Sequence, residues 1–260
     1  MKPHKLSRYI PPKVKFQIRS HCGFGCVICG CSIIQYHHFN PPFSEALKHE
    51  AKGITLLCGT CHDRVHKGII NKEEVFSANT KPYCKTKGNG RDFLFTGDIS
   101  IPVQIGSSKI HSSTILMYDN KVIIGFNRPE KNNGPIRFNA IFTDSNSNII
   151  LQIINNEWIV REDCYDLQVI KSILKIIDNK KAVLLEMDLA VKNSIQIKKL
   201  LMTYKGFNIN ADNKNFSVKT PLGGSINHIG SNYSEIGVWM KSDGHALIAS
   251  NSNGIAAIQL

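Results

Sequence analysis

The chain has 260 residues, room for a small domain beside a larger one, and no stretch approaches the roughly 20 consecutive apolar residues of a membrane helix. Its net charge of +12 and pI near 9.3 favour polyanionic partners through counterion release and steering. The opening Met1-Lys2-Pro3-His4-Lys5 lacks the apolar core of a signal peptide, so a soluble, cytoplasmic protein with no membrane partner is expected.

The charge is uneven. Residues 1–92 hold 15 Lys and Arg against 6 Asp and Glu, a net +9. All but two of the 8 cysteines lie between Cys22 and Cys61, interleaved with histidines, which reads as a metal site and not as a disulfide framework.

Taken in chain order, Pro11-Pro12 suits a helix start, and Val14, Phe16 and Ile18 fit a short helix ending near Ser20. Residues 21–30, rich in Gly and containing Cys22, Cys26 and Cys29, read as a metal knuckle whose backbone can curl toward thiolate sulfurs. Residues 32–39 have the β-branched and aromatic content of a strand, ended by Asn40-Pro41-Pro42. After a loop or short helix over 43–52, Gly53 to Leu57 reads as a second strand. Thr60 is a candidate cap for a helix through Cys61 to Lys67 that stops at Gly68. Asn71, with Glu74 three residues on, predicts a capping box and another helix.

Two Cys-x-x-Cys pairs, Cys26/Cys29 and Cys58/Cys61, supply the four thiolates of a closed structural zinc site. Cys22 and Cys31 are alternative donors. His62 and His66 share one helix face, so they can hold one cation together. His37 and His38 point to opposite faces of a strand. One of them can join that cation while the other addresses a water.

These residues together, Cys26-x-x-Cys29, His37-His38-Phe39-Asn40-Pro41 and Leu56-Leu57-Cys58-Gly-Thr-Cys61-His62-x-x-x-His66, resemble the HNH endonuclease family over about residues 16–70. The resemblance implies a ββα-metal core with His38 as general base and a divalent ion, Mg²⁺, Mn²⁺, Ni²⁺ or Zn²⁺, on His37, His62 and His66. DNA is the implied partner, with Arg64 and Lys67 as candidate phosphate contacts, and a restriction-like or defence nuclease of bacterial type is the implied role. One position departs from the family pattern: where its middle Asn orients the base, this chain has Gly53. The His38 ring is then left to a backbone carbonyl, to Asn40 or to His49.

Residues 81–98, with Pro82, Gly88, Gly90 and Gly97, read as a linker. Beyond it, alternation at Ile101, Val103 and Ile105 and turn signals such as Asp119-Asn120, residues 144–148 and Asp212-Asn213 predict a mostly-β domain over 99–260. The stretch 166–177 also fits a helix face. Phe126, Trp158, Phe207, Tyr233 and Trp239 offer a base-stacking surface or an ordinary core. The reading is therefore α+β: an N-terminal HNH module over 1–80 with structural zinc, a linker, and a β-rich domain for target recognition, sensing or homo-oligomerisation. Two rivals use the same residues, a catalytically inactive zinc-dependent nucleic-acid-binding protein and a redox sensor.

Overall fold

The computed structural model describes residues 6–91, 95–97, 102–127, 134–160, 164–170, 172–188, 194–228, 232–233 and 236–247. It is a mixed helix and sheet protein in which strands predominate, and it divides into two compact units, Met1–Asp92 and Phe93–Leu260.

In the first unit, helix α1 (Pro12–Cys22) starts on Pro11-Pro12, whose fixed φ suits a first turn. It ends in a Schellman arrangement. Gly23 adopts φ 69°, its N–H donates to the Ser20 carbonyl and the Phe24 N–H donates to that of Arg19. The knuckle follows, closed by Cys26 N–H to the Cys31 carbonyl and Gly30 N–H to the Cys26 carbonyl.

Strand β1 (Ile34–His38) pairs antiparallel with β2 (Ile54–Cys58), with His37 opposite Thr55 and His38 opposite Ile54. β2 is buried along its whole length, and with Ile18, Cys22, Val27 and the cysteines it forms the core of the unit. Helix α2 (Gly59–His66) leaves β2 directly. Its cap is the Cys58 sulfur, which accepts from the Cys61 N–H at 3.4 Å, and not the Thr60 hydroxyl. A sulfur at the cap position reaches the first turn of the helix, which a hydroxyl already inside that turn does not. Helix α3 (Lys72–Thr80) has the full capping box between Asn71 and Glu74.

The segment expected as a linker contains a further short helix, α4 (Tyr83–Lys87). The Tyr83 N–H donates to the Val27 carbonyl, and Cys84 is buried against Gly25 and Gly30, whose missing side chains leave the room. Those anchors draw residues 82–88 onto the knuckle.

The second unit consists of two antiparallel-rich sheets. One runs through strands at 236–240, 114–118, 121–127, 134–143, 149–154 and 157–160, and the other through 164–170, 173–178, 183–188, 195–204, 207–211, 216–219 and 225–228. They meet where Tyr118 packs edge-on to Tyr204 and Phe207. The ambiguous 166–177 stretch forms parts of two hairpin strands. Burial alternates along 173–178, and pairing with the strand at 183–188 decides the period. Phe126, Trp158 and Phe207 are core residues and Trp239 is half-buried beneath the Lys241 ammonium; the Tyr233 side chain lies outside the described residues.

Gly53 closes the β1–β2 connection. Its carbonyl accepts from both Phe39 N–H and Asn40 N–H, and a Cβ built on it would collide with the Asn40 carbonyl oxygen. No side chain fits at this position without parting the two strands. Gly53→Ala is expected to lower the stability of the N-terminal unit by about 2–3 kcal/mol in denaturant titration. Wild-type stability of that variant would contradict this packing.

Candidate metal centre and histidine cavity

The sulfurs of Cys26, Cys29, Cys58 and Cys61 all lie within 4.8 Å of one another, from the knuckle on one side and the β2–α2 junction on the other. Tetrahedral zinc with Zn–S bonds of about 2.3 Å requires S···S separations of about 3.8 Å. The Cys29 and Cys58 sulfurs stand 3.6 Å apart, so the four cysteines can bind a metal such as zinc. Their acidity tells the same story. The neighbouring Cys26 sulfur and burial push Cys29 well up, and burial, with Cys58 and Cys29 close by, pushes Cys61 up to about 12. Four thiolates crowded here need a cation among them to remain ionised.

Cys22, Cys31 and Cys84 lie outside this group. Cys22 contacts the Thr55 hydroxyl at 3.8 Å, and burial raises it to about 11; burial likewise raises Cys84 to about 12. Cys22 and Cys84 are thus core thiols whose burial disfavours the reactive thiolate, whereas Cys31 is half-buried with its sulfur 3.8 Å from the Ile33 carbonyl.

The ligating nitrogens of His37, His62 and His66 also lie within 4.8 Å of one another. The rings meet edge to face, with centroids 5.0 Å apart for His37 and His62 and 4.5 Å for His62 and His66. The spacing follows from two local rules: His62 comes immediately after the ligand Cys61, and His66 stands one turn later on the same face of α2. Desolvation, with the neighbouring imidazoles His62, His66 and His38, holds His37 down at about 4. Burial and His66 lower His62 as well. Three imidazoles converging on one point could hold a metal ion.

His38, next along β1, is not in that group. Its Nε2 lies 3.2 Å from His49 Nδ1, and its ring packs edge-on to Phe43. All four of these histidines, with His49, Arg8, Ile10, Tyr36 and Phe43, line one open cavity of about 440 Å³. Of the alternatives left open at Gly53, His49 is the side chain found against His38. Asn40 is exposed, and its carbonyl faces Gly53.

Arg64 and Lys67 are exposed on α2 and do not line this cavity, and Lys67 pairs with Asp63 at 2.8 Å. Arg8 does line it, with its guanidinium 5.3 Å from the centre of the Phe43 ring. Nothing in the local sequence marks Arg8, and the sequence offers His49 only as one of three alternatives, because both reach the cavity through contacts distant along the chain.

The chain matches no family model, no curated protein and no solved structure at significant similarity.

Cys58 has two roles, as a thiol of the cluster and as the cap of α2. Cys58→Ser is expected to remove the zinc measured by elemental analysis and to abolish the cooperative unfolding of the N-terminal unit, because structural zinc contributes folding energy on the order of 10 kcal/mol. A serine variant that keeps its zinc, or that unfolds like wild type, would refute the structural role of the cluster.

Proposed function

We propose that the N-terminal unit is an HNH-type, metal-dependent endonuclease that hydrolyses DNA phosphodiester bonds, with α1, the knuckle, β1, β2 and α2 as its ββα-metal module. The observation that carries the reading is the convergence of His37, His62 and His66 on a metal-sized gap, with a fourth imidazole, His38, on the same cavity. A binding module would have no need of that division between three ligand imidazoles and one turned to a different partner.

A divalent cation on His37, His62 and His66 would supply charge compensation at phosphorus and at the leaving 3′ oxygen. His38 takes a proton from a water molecule. The water oxygen forms the new bond to phosphorus, the bond to the 3′ oxygen breaks, and that oxygen leaves with the electron pair and is reprotonated from solvent. His37 and His62, held neutral by burial, keep their lone pairs for the cation at neutral pH. Arg8 is placed for a phosphate oxygen, with its guanidinium packed on Phe43 and its donors available to the cavity. Lys15, above the ring of the cavity residue Tyr36 at 5.6 Å, adds positive charge on the same side. The net +9 of residues 1–92 favours a polyanion over a small neutral substrate.

With Mn²⁺, Mg²⁺, Ni²⁺ or Zn²⁺ added in turn to the full chain, supercoiled plasmid is expected to be nicked in at least one case. His38→Ala should lower the rate by at least about 100-fold, while DNA binding in a gel-shift assay is retained. Equal binding with no cleavage by the wild-type chain would favour the inactive nucleic-acid-binding protein. Cleavage undiminished in the variant would remove His38 from the chemistry.

A further inference from the structure

Aromatic rings and cations alternate on the surface that leads from the histidine cavity to the start of α1. Residues 1–44 contain six Lys and Arg and no Asp or Glu, and none of the described residues lining the cavity is acidic. Tyr36, on β1, lines the cavity, and its hydroxyl accepts from the buried Arg19 guanidinium at 2.6 Å, which fixes the ring. The Lys15 ammonium, on α1, lies 5.6 Å from the centre of that ring and 5.7 Å from the centre of the Tyr9 ring. Tyr9 follows the cavity residue Arg8 and precedes the cavity residue Ile10, yet does not itself line the cavity and is 64 % exposed. Its backbone N–H donates to the Ser7 hydroxyl at 3.1 Å.

An intact duplex keeps its base faces stacked on one another and meets such a surface only through its phosphates. An unpaired base has an open face, which can stack on an aromatic ring while the adjoining phosphate meets a neighbouring cation. We propose that the track Tyr36–Lys15–Tyr9 binds single-stranded DNA, with an unpaired base on the Tyr9 ring and its phosphate on Lys15, and leads that strand into the cavity. The consequence for cleavage rests on the nuclease reading above, while the binding itself is measurable without it. An ammonium attracted to two rings keeps its three N–H donors, so Lys15 can hold a phosphate without leaving the tyrosines. Within the cavity Arg8, packed on Phe43, continues the alternation toward the histidines. The substrate class is therefore DNA with an unpaired stretch, such as a gap, a flap or a melted segment.

Fluorescence anisotropy on the full, zinc-loaded chain, with no divalent ion added, tests this. The probes are a labelled oligothymidylate of about 12 nucleotides and a duplex of equal length. Tyr9→Ala is expected to weaken single-strand binding about 5- to 100-fold and duplex binding by less than about 2-fold, with zinc content unchanged. Tyr9→Phe should bind the single strand like wild type, whereas Tyr9→Leu, apolar without a π face, should not. Lys15→Ala should flatten the dependence of log Kd on log salt for the single strand by about 0.7, the share of one phosphate. No single-strand binding by the wild-type chain, wild-type affinity in Tyr9→Ala, an equal loss for single strand and duplex, or a Phe variant as weak as Ala would each overturn the proposal. Tighter binding of oligouridylate than of oligothymidylate would overturn it in favour of RNA. A chain that nicks plasmid but fails these tests keeps the nuclease reading and loses the track, and one that passes them but cuts no DNA does the reverse.

Discussion

The N-terminal unit depends on the closure of four cysteine sulfurs around one point. Cys26 and Cys29 come from the knuckle, and Cys58 and Cys61 from the end of β2 and the first turn of α2. A unit of this size has few large apolar residues to bury, and its core is correspondingly small, built around Ile18, Val27, Ile54, Leu56 and Leu57. The cluster compensates by tying the knuckle to the hairpin, a link reinforced by the Val27 N–H bond to the Leu56 carbonyl. Fixing Cys61 fixes His62 beside it and His66 a turn away. Pairing β1 with β2 brings His37 to the same place.

The same local geometry divides the histidines into two groups. Adjacent residues of an extended strand face opposite ways, so the His37-His38 pair sends one ring toward α2 and the other toward the loop containing His49. Burial and neighbouring imidazoles lower His37 and His62. The other ring lies 3.2 Å from His49, which in turn reaches the Ser7 carbonyl oxygen. Two electrostatic environments thus arise on one short strand from the alternation of its side chains.

Much of this was legible in the sequence because it is governed by short-range rules. The Cys-x-x-Cys pairs, the i,i+4 spacing of His62 and His66, and the Asn71/Glu74 box each depend on a few neighbouring residues. What escaped was set at longer range. The cap of α2 is the Cys58 sulfur, at the end of β2 and within the cysteine cluster, which a cap preference for Thr60 does not anticipate. Helix α4 forms in a stretch with linker composition because Tyr83 and Cys84 find anchors more than 50 residues earlier, at Val27 and beside Gly30. His49 reaches Ser7 across 42 positions. Residues 166–177 are apolar enough for either period, and strand partners choose between them. The steric demand for glycine at position 53 is visible only once Asn40 is placed against it.

The β-rich unit follows its alternation and turn signals closely, and most of the aromatics that offered a stacking surface fill its interior. Among the described residues, both side-chain clusters that could hold a metal ion lie in the first unit, where the positions of the histidines depend on the cysteine cluster. X-ray absorption at the zinc edge of the purified chain tests that dependence most directly. Four sulfur scatterers at about 2.3 Å are expected, and a first shell containing nitrogen or oxygen at about 2.0–2.1 Å would contradict it.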